Sequence, residues 1–172
     1  MQRPALDAAL KLLAARSRTE AELRQALLSR HYPPAEVETA VARVRELGYL
    51  DDGEVARARA RSLLGRGAAP RLAARRLEAQ GIAPAKARSA VVAEAGEGGE
   101  AGLLERALQR RLKGRKLDET EKQRVFRSLV QKGYRPSEVA RRLGLDWDGD
   151  DGGDGVAGDG RRPKAGAYDD ER

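Results

Sequence analysis

The sequence predicts an all-α protein built as a tandem array of three-helix, helix-turn-helix-like repeats, elongated and curved, with a disordered acidic C-terminal tail. Three observations lead there. Aromatic residues make up only 3% of the 172 residues and Phe occurs once, while Ala, Leu, Arg and Glu dominate, a composition that disfavours sheets and suits closely packed helices. An internal repeat aligns without gaps at offsets of 50 and 52 residues: Leu27 to Pro34, Leu77 to Pro84 and Leu129 to Pro136. Each copy also carries helix punctuation in the same order, with a closing turn, a Gly or His, a Tyr or Ile, and a Pro that opens the next helix.

The first repeat, 5–50, reads as helices from Ala5 to about Ala15, Thr19 to about Arg30 and Pro34 to about Leu47. Thr19 and Glu22 form a capping box, in which each side chain satisfies the other residue's orphan amide. Leu23 and Leu27 lie one turn apart, and Val37, Val41, Val44 and Leu47 make the apolar stripe of the third helix. His31 stands where the other two copies have glycine. It is the only histidine, and without a nucleophile or metal cluster beside it we read it as a turn residue in the left-handed region.

The second repeat, 51–95, starts with Asp51 or Asp52 as a cap and runs to about Leu64, with Ala56, Ala60, Leu63 and Leu64 inward. Pro70 opens its second helix, with Leu72 and Leu77, and Pro84 its third. Gly96, Gly98 and Gly99 mark a joint before the third repeat, 100–145. There Leu103, Leu104 and Leu108, then Val125, Phe126 and Leu129, then Val139 and Leu143 are the expected core. From Asp146 the chain alternates Asp and Gly, so 146–172 reads as a disordered tail unable to bury enough apolar area to offset its ordering entropy. Its Asp spacing does not complete a calcium loop, because Asp151 and Ala157 stand where the loop's glycine and bidentate Glu belong.

Charge is divided unevenly. The tail carries nine acidic and four basic residues, a net −5, leaving 30 bases and 18 acids in residues 1–145, a net +12. Such a body favours a polyanionic partner, either nucleic acid or an acidic protein surface. With no cysteine there is no disulfide, thiolate metal site or thiol catalysis. No metal, cofactor or catalytic site is expected: no Gly-rich loop ends in Lys-Ser or Lys-Thr, and Asp51 and Asp52 read as caps. The start of the chain lacks a signal-peptide pattern and no stretch approaches a membrane span, so a cytoplasmic protein without membrane contact is expected.

Two basic clusters are the candidate partner-binding residues. Arg57 and Arg61 are one turn apart on one helix, and Arg71 and Arg75 on the next, with Arg76 beside them; planar guanidinium forks suit carboxylates and phosphates alike. The second cluster, Arg110, Arg111, Lys113, Arg115 and Lys116, joins the first two helices of the third repeat. The acidic tail is expected to fold back intermittently on these surfaces and to weaken non-specific DNA binding.

The joint Gly48-Tyr49-Leu50-Asp51-Asp52 reads physically as a helix stop, two anchors and a helix cap. Together with the upstream Arg18-Thr19-Glu20-Ala21-Glu22-Leu23, the downstream Arg66-Gly67, and Leu77 leading to Gly81-Ile82, it closely resembles the RecX family over about residues 6 to 143. The sequence departs from the family pattern at Val55, where an aromatic is usual, at Gln80, where Lys is common, and at His31 in place of glycine. The resemblance implies three-helix repeats shaped for the groove of a RecA filament on DNA. It also implies inhibition of filament growth, ATP hydrolysis, strand exchange and coprotease activity in the SOS response. DNA, single- or double-stranded, is a second possible partner, and a monomer is expected. The competing reading is a helical DNA-binding protein that acts without RecA, although no helix presents Asn, Gln and Arg at base-reading spacing.

Overall fold

The computed structural model describes residues 4–112 and 114–149. Among them are nine α-helices: α1 (Ala5–Ala15), α2 (Glu20–Leu28), α3 (Pro34–Glu46), α4 (Asp52–Gly65), α5 (Pro70–Glu78), α6 (Pro84–Ala95), α7 (Gly99–Leu112), α8 (Glu119–Gln131) and α9 (Pro136–Leu143). The order is three helices taken three times, as the repeat predicts. No described helix is long and apolar enough to cross a membrane. Lys113 and most of the acidic tail, from Asp150 onward, lie outside the described residues.

The helix ends follow from their sequences. Pro34, Pro84 and Pro136 each occupy the first turn of α3, α6 and α9, where a missing amide leaves no bond unmade. Thr19 accepts from the Glu22 amide while Glu22 accepts from the Thr19 amide, and Asp118 with Glu121 repeats this box at α8. Asp51 accepts from the amides of Gly53 and Glu54 at the start of α4. Asp52 instead accepts from the Glu20 amide at 2.9 Å, so only one member of the pair caps its own helix.

The helices group into two compact units, one of residues Met1–Leu63 with Ala73–Gly96, the other of Leu64–Leu72 with Glu97–Arg172. The boundary passes through α4 and α5. In the first unit, α1, α2 and α3 enclose a core that includes Ala9, Leu23, Leu27, Val37, Val41 and Val44. Burying each Leu or Val there contributes roughly 1.5–3 kcal/mol. Tyr32 and Ile82 tuck under their turns as expected. In the second unit, Leu104, Ala107, Phe126, Leu129, Tyr134 and Val139 are buried.

Each unit contains one packed turn, and the two turns are built alike. In the first, Gly81 lies against Ala21, and the Gln80 carbonyl accepts from the Thr19 hydroxyl at 2.9 Å. In the second, Gly133 lies against Leu72, and the Lys132 carbonyl accepts from the Ala69 amide at 2.8 Å. Both carbonyls precede a glycine with positive φ, and both donors sit at the N-cap position of a second helix. His31, at the corresponding place in the first repeat, holds φ 61° and is exposed.

Several expectations are corrected. Leu47 is 45% exposed, because the stripe of α3 ends at Val44 and Leu47 is already the C-cap residue leading into Gly48. Tyr49 is 61% exposed, so Leu50 alone anchors that joint. Val125 is only half-buried; Phe126 and Leu129 carry the inward face of α8. Gly99 begins α7 instead of preceding it. Packing also continues past Leu145: the Trp147 ring meets Phe126 with centroids 5.4 Å apart, so the expected start of the tail at 146 lies within packed chain.

Candidate partner-binding surface

In the first unit, Arg57 and Arg61 both present their guanidinium groups outward from α4. Arg61 is 73% exposed in its side chain and pairs with Glu94 of α6 through two hydrogen bonds of 2.8 and 2.9 Å. That pairing, aided by the charge of Arg57, holds the Glu94 carboxyl below its ordinary range. Arg57 is within 3.9 Å of Glu54, a long contact on an exposed pair that adds little stability. Arg76 is exposed and Arg75 half-buried on the same unit's part of α5. Arg57, Arg61 and Arg76 are therefore the exposed cations of the expected stripe, with Arg61 held by Glu94 and Arg57 near Glu54.

In the second unit, Arg71 is half-buried. Arg110 donates to the Gly65 carbonyl at 3.2 Å, beside Lys132, which donates to the Arg66 carbonyl at 2.7 Å. Partial burial lowers the Lys132 ammonium pKa, and the charges of Arg111 and Arg110 add to the effect. Arg111 is tied to the Ala107 carbonyl and the Ser128 hydroxyl, and Arg115 makes a two-bonded pair with Glu121 at 2.6 and 3.1 Å. Lys116 is exposed. No described group of three His, Asp or Glu side chains has the arrangement of a metal site.

Residues 5–43 match the family model described as RecX, first three-helix domain. That match covers the first of the three helix triplets. The fold of the chain is similar to that of the crystal structure of RecX from Lactobacillus salivarius, with a TM-score of 0.63 and 18% identity over 81% of this chain and 94% of that one. It is likewise similar to a crystal structure of regulatory protein RecX, with a TM-score of 0.64 and 23% identity over 81% of this chain and 70% of that one. No curated protein sequence matches the chain.

Within this RecX-type fold, sequence reasoning missed two features. Arg59, also on α4, turns from the Arg57 and Arg61 side to reach Glu22 and Gln80, and only 21% of its side chain remains exposed. Its position two residues from each neighbouring Arg was the available signal, since residues two apart on a helix do not share a face. Arg124 and Ser128, one turn apart on α8, stand beside Arg111 and Arg115 and extend the second cluster. Helical spacing alone pairs Arg124 with Ser128, but the proximity of α7 is a tertiary fact.

Proposed function

We propose that this chain is a RecX-family regulatory protein that binds the RecA filament on DNA, lies along its groove, and restrains filament growth, ATP hydrolysis, strand exchange and coprotease activity. The observation that carries the reading is the RecX first three-helix domain at residues 5–43. The net +12 of residues 1–145 supports it, because a filament coated on DNA is a polyanion that attracts a basic body over long range. Arg57 and Arg76 are the proposed first contacts. They are exposed and present planar donors to carboxylate or phosphate. Further proposed contacts are Arg61 and Arg75 in the first unit and, separately, Arg71, Arg110, Arg111, Lys113, Arg115 and Lys116 in the second. The role is stoichiometric binding without catalysis, by a monomer in the cytoplasm.

Co-sedimentation with RecA filaments assembled on single-stranded DNA tests this reading. The chain is expected to pellet with filaments, and Arg57→Glu with Arg76→Glu to weaken that association about fivefold or more. Failure to pellet with filaments at concentrations that coat bare DNA would favour the RecA-independent DNA-binding reading.

A further inference from the structure

We propose that a cleft between α7 and α8 is a phosphate-binding site, taking a phosphate group carried either by a nucleic-acid strand or by a free nucleotide. The cleft has a volume of about 280 Å³, and Arg111, Arg115, Arg124, Glu121 and Ser128 supply its polar lining. Three guanidinium groups face one carboxylate, leaving a local charge of about +2, which matches the one to two negative charges of a phosphate ester.

The three arginines are not equivalent. Arg111 is oriented before any ligand arrives, with one nitrogen bonded to the Ala107 carbonyl at 3.2 Å and the other to the Ser128 hydroxyl at 3.1 Å. Such anchoring reduces the side-chain entropy lost on binding. Arg115 is held by Glu121, whose carboxylate also accepts from the Asp118 amide at 3.1 Å. Arg124 is exposed and has no hydrogen-bond or ion-pair partner among the described residues, so its donors are available. Leu117 and Val125 add an apolar wall, against which a sugar or base attached to the phosphate can lie. The incomplete burial of Val125 has its explanation here: it lines the cleft instead of the core.

Glu121 competes with an incoming phosphate for Arg115. Removing its charge while keeping its shape and its role in the capping box should therefore tighten binding, the opposite of removing Arg124. The inference deepens the partner-binding reading of the third-repeat cluster and rests on it for its biological setting, whereas the binding itself is tested without a recombinase.

The experiment measures binding of the full chain to a labelled single-stranded oligothymidylate by anisotropy and to ATP by calorimetry. The variants are Arg124→Ala, Glu121→Gln and, as a charge-matched control, Arg43→Ala in the first repeat, each checked for native helix content. Arg124→Ala is expected to weaken binding about fivefold and Glu121→Gln to strengthen it roughly threefold, with Arg43→Ala changing it less than either. That pattern with the oligonucleotide alone assigns the phosphate to a strand; the same pattern with ATP assigns it to a free nucleotide. Affinities for both ligands that are indifferent to Arg124→Ala and Glu121→Gln, or that fall equally with Arg43→Ala, overturn the proposal. A parallel co-sedimentation with RecA filaments keeps the two readings separable: Arg124→Ala that loses strand binding but still pellets with filaments supports the cleft and the filament reading together, and wild-type chain that binds phosphate but never pellets supports the cleft alone.

Discussion

Arg59 on α4 grips Glu22 on α2 with two guanidinium hydrogen bonds of 2.7 and 3.0 Å, and the nitrogen making the longer one also donates to the Gln80 side chain at 2.6 Å. The fork ties the capping box of the first repeat to the packed turn at Gly81. Both partners are largely shielded from water, so deleting one strands the other. Arg59→Ala should destabilise the chain by about 1–3 kcal/mol in urea unfolding, and Arg59→Lys should recover only part, because an ammonium cannot reproduce the two-pronged geometry.

The same pair predicts a pH dependence. Partial burial acts to raise the Glu22 carboxyl, but the Arg59 hydrogen bond, the Thr19 amide and the charges of Arg59 and Arg16 outweigh it, and the folded pKa lies below the ordinary value. A carboxyl lowered on folding contributes stability that is complete above the unfolded value, about 4.3, and is lost as pH falls through the folded one. Urea midpoints measured from pH 7 to pH 3 should show wild type and Glu22→Gln converging as the solution becomes acid. A gap that stays constant across that range would refute the assignment.

The packed turns separate two kinds of glycine position. A methyl group on Gly81 would overlap that of Ala21, and one on Gly133 would come within 2.7 Å of the Leu72 Cβ, in both cases with φ above +80°. Gly81→Ala and Gly133→Ala should each cost roughly 2–4 kcal/mol, combining left-handed strain with overpacking. His31→Gly should stay within about 1 kcal/mol of wild type, since His31 is exposed and already holds the left-handed conformation. Thermal or urea unfolding of the three variants checks the contrast.

Tyr134 is almost fully buried, and its hydroxyl has no hydrogen-bond partner among the described residues. Burial raises the phenol's pKa, with Glu100 adding to the effect. Removing an unsatisfied buried hydroxyl relieves a desolvation penalty, so Tyr134→Phe should leave stability unchanged or raise it by up to about 1 kcal/mol. Tyr134→Ala should lower it by about 3–5 kcal/mol through the cavity it leaves. Calorimetric midpoints of the pair decide this, and a marked loss in the Phe variant would mean that the hydroxyl is satisfied.

The helices were legible because their signals are local. Proline at a first turn, the Thr19 and Glu22 box and the apolar spacing in α1 to α3 each act within a few residues, and the chain followed them. Tyr32, Ile82 and Tyr134 were equally readable as anchors under their turns. What failed depended on distant partners. Periodicity marks an apolar face without saying what covers it, so it points Leu47, Tyr49 and Val125 inward and leaves Trp147 to the tail, whereas the fold exposes Leu47 and Tyr49, half-buries Val125 and packs Trp147 on Phe126. The arginines of α4 are visible as a series, but only the fold reveals that Arg59 is a tie and that Arg61, although exposed, is engaged by Glu94. Helical spacing pairs Arg124 with Ser128, but no local signal brings them to Arg111 and Arg115.

The central claim concerns RecA, and the most direct measurement is single-strand-dependent ATP hydrolysis by a RecA recombinase titrated with this chain, alongside its binding to the same strand alone. Hydrolysis is predicted to fall at concentrations below those at which the chain coats bare DNA. Hydrolysis that is unaffected, or that falls only when the DNA itself is saturated, would contradict the account.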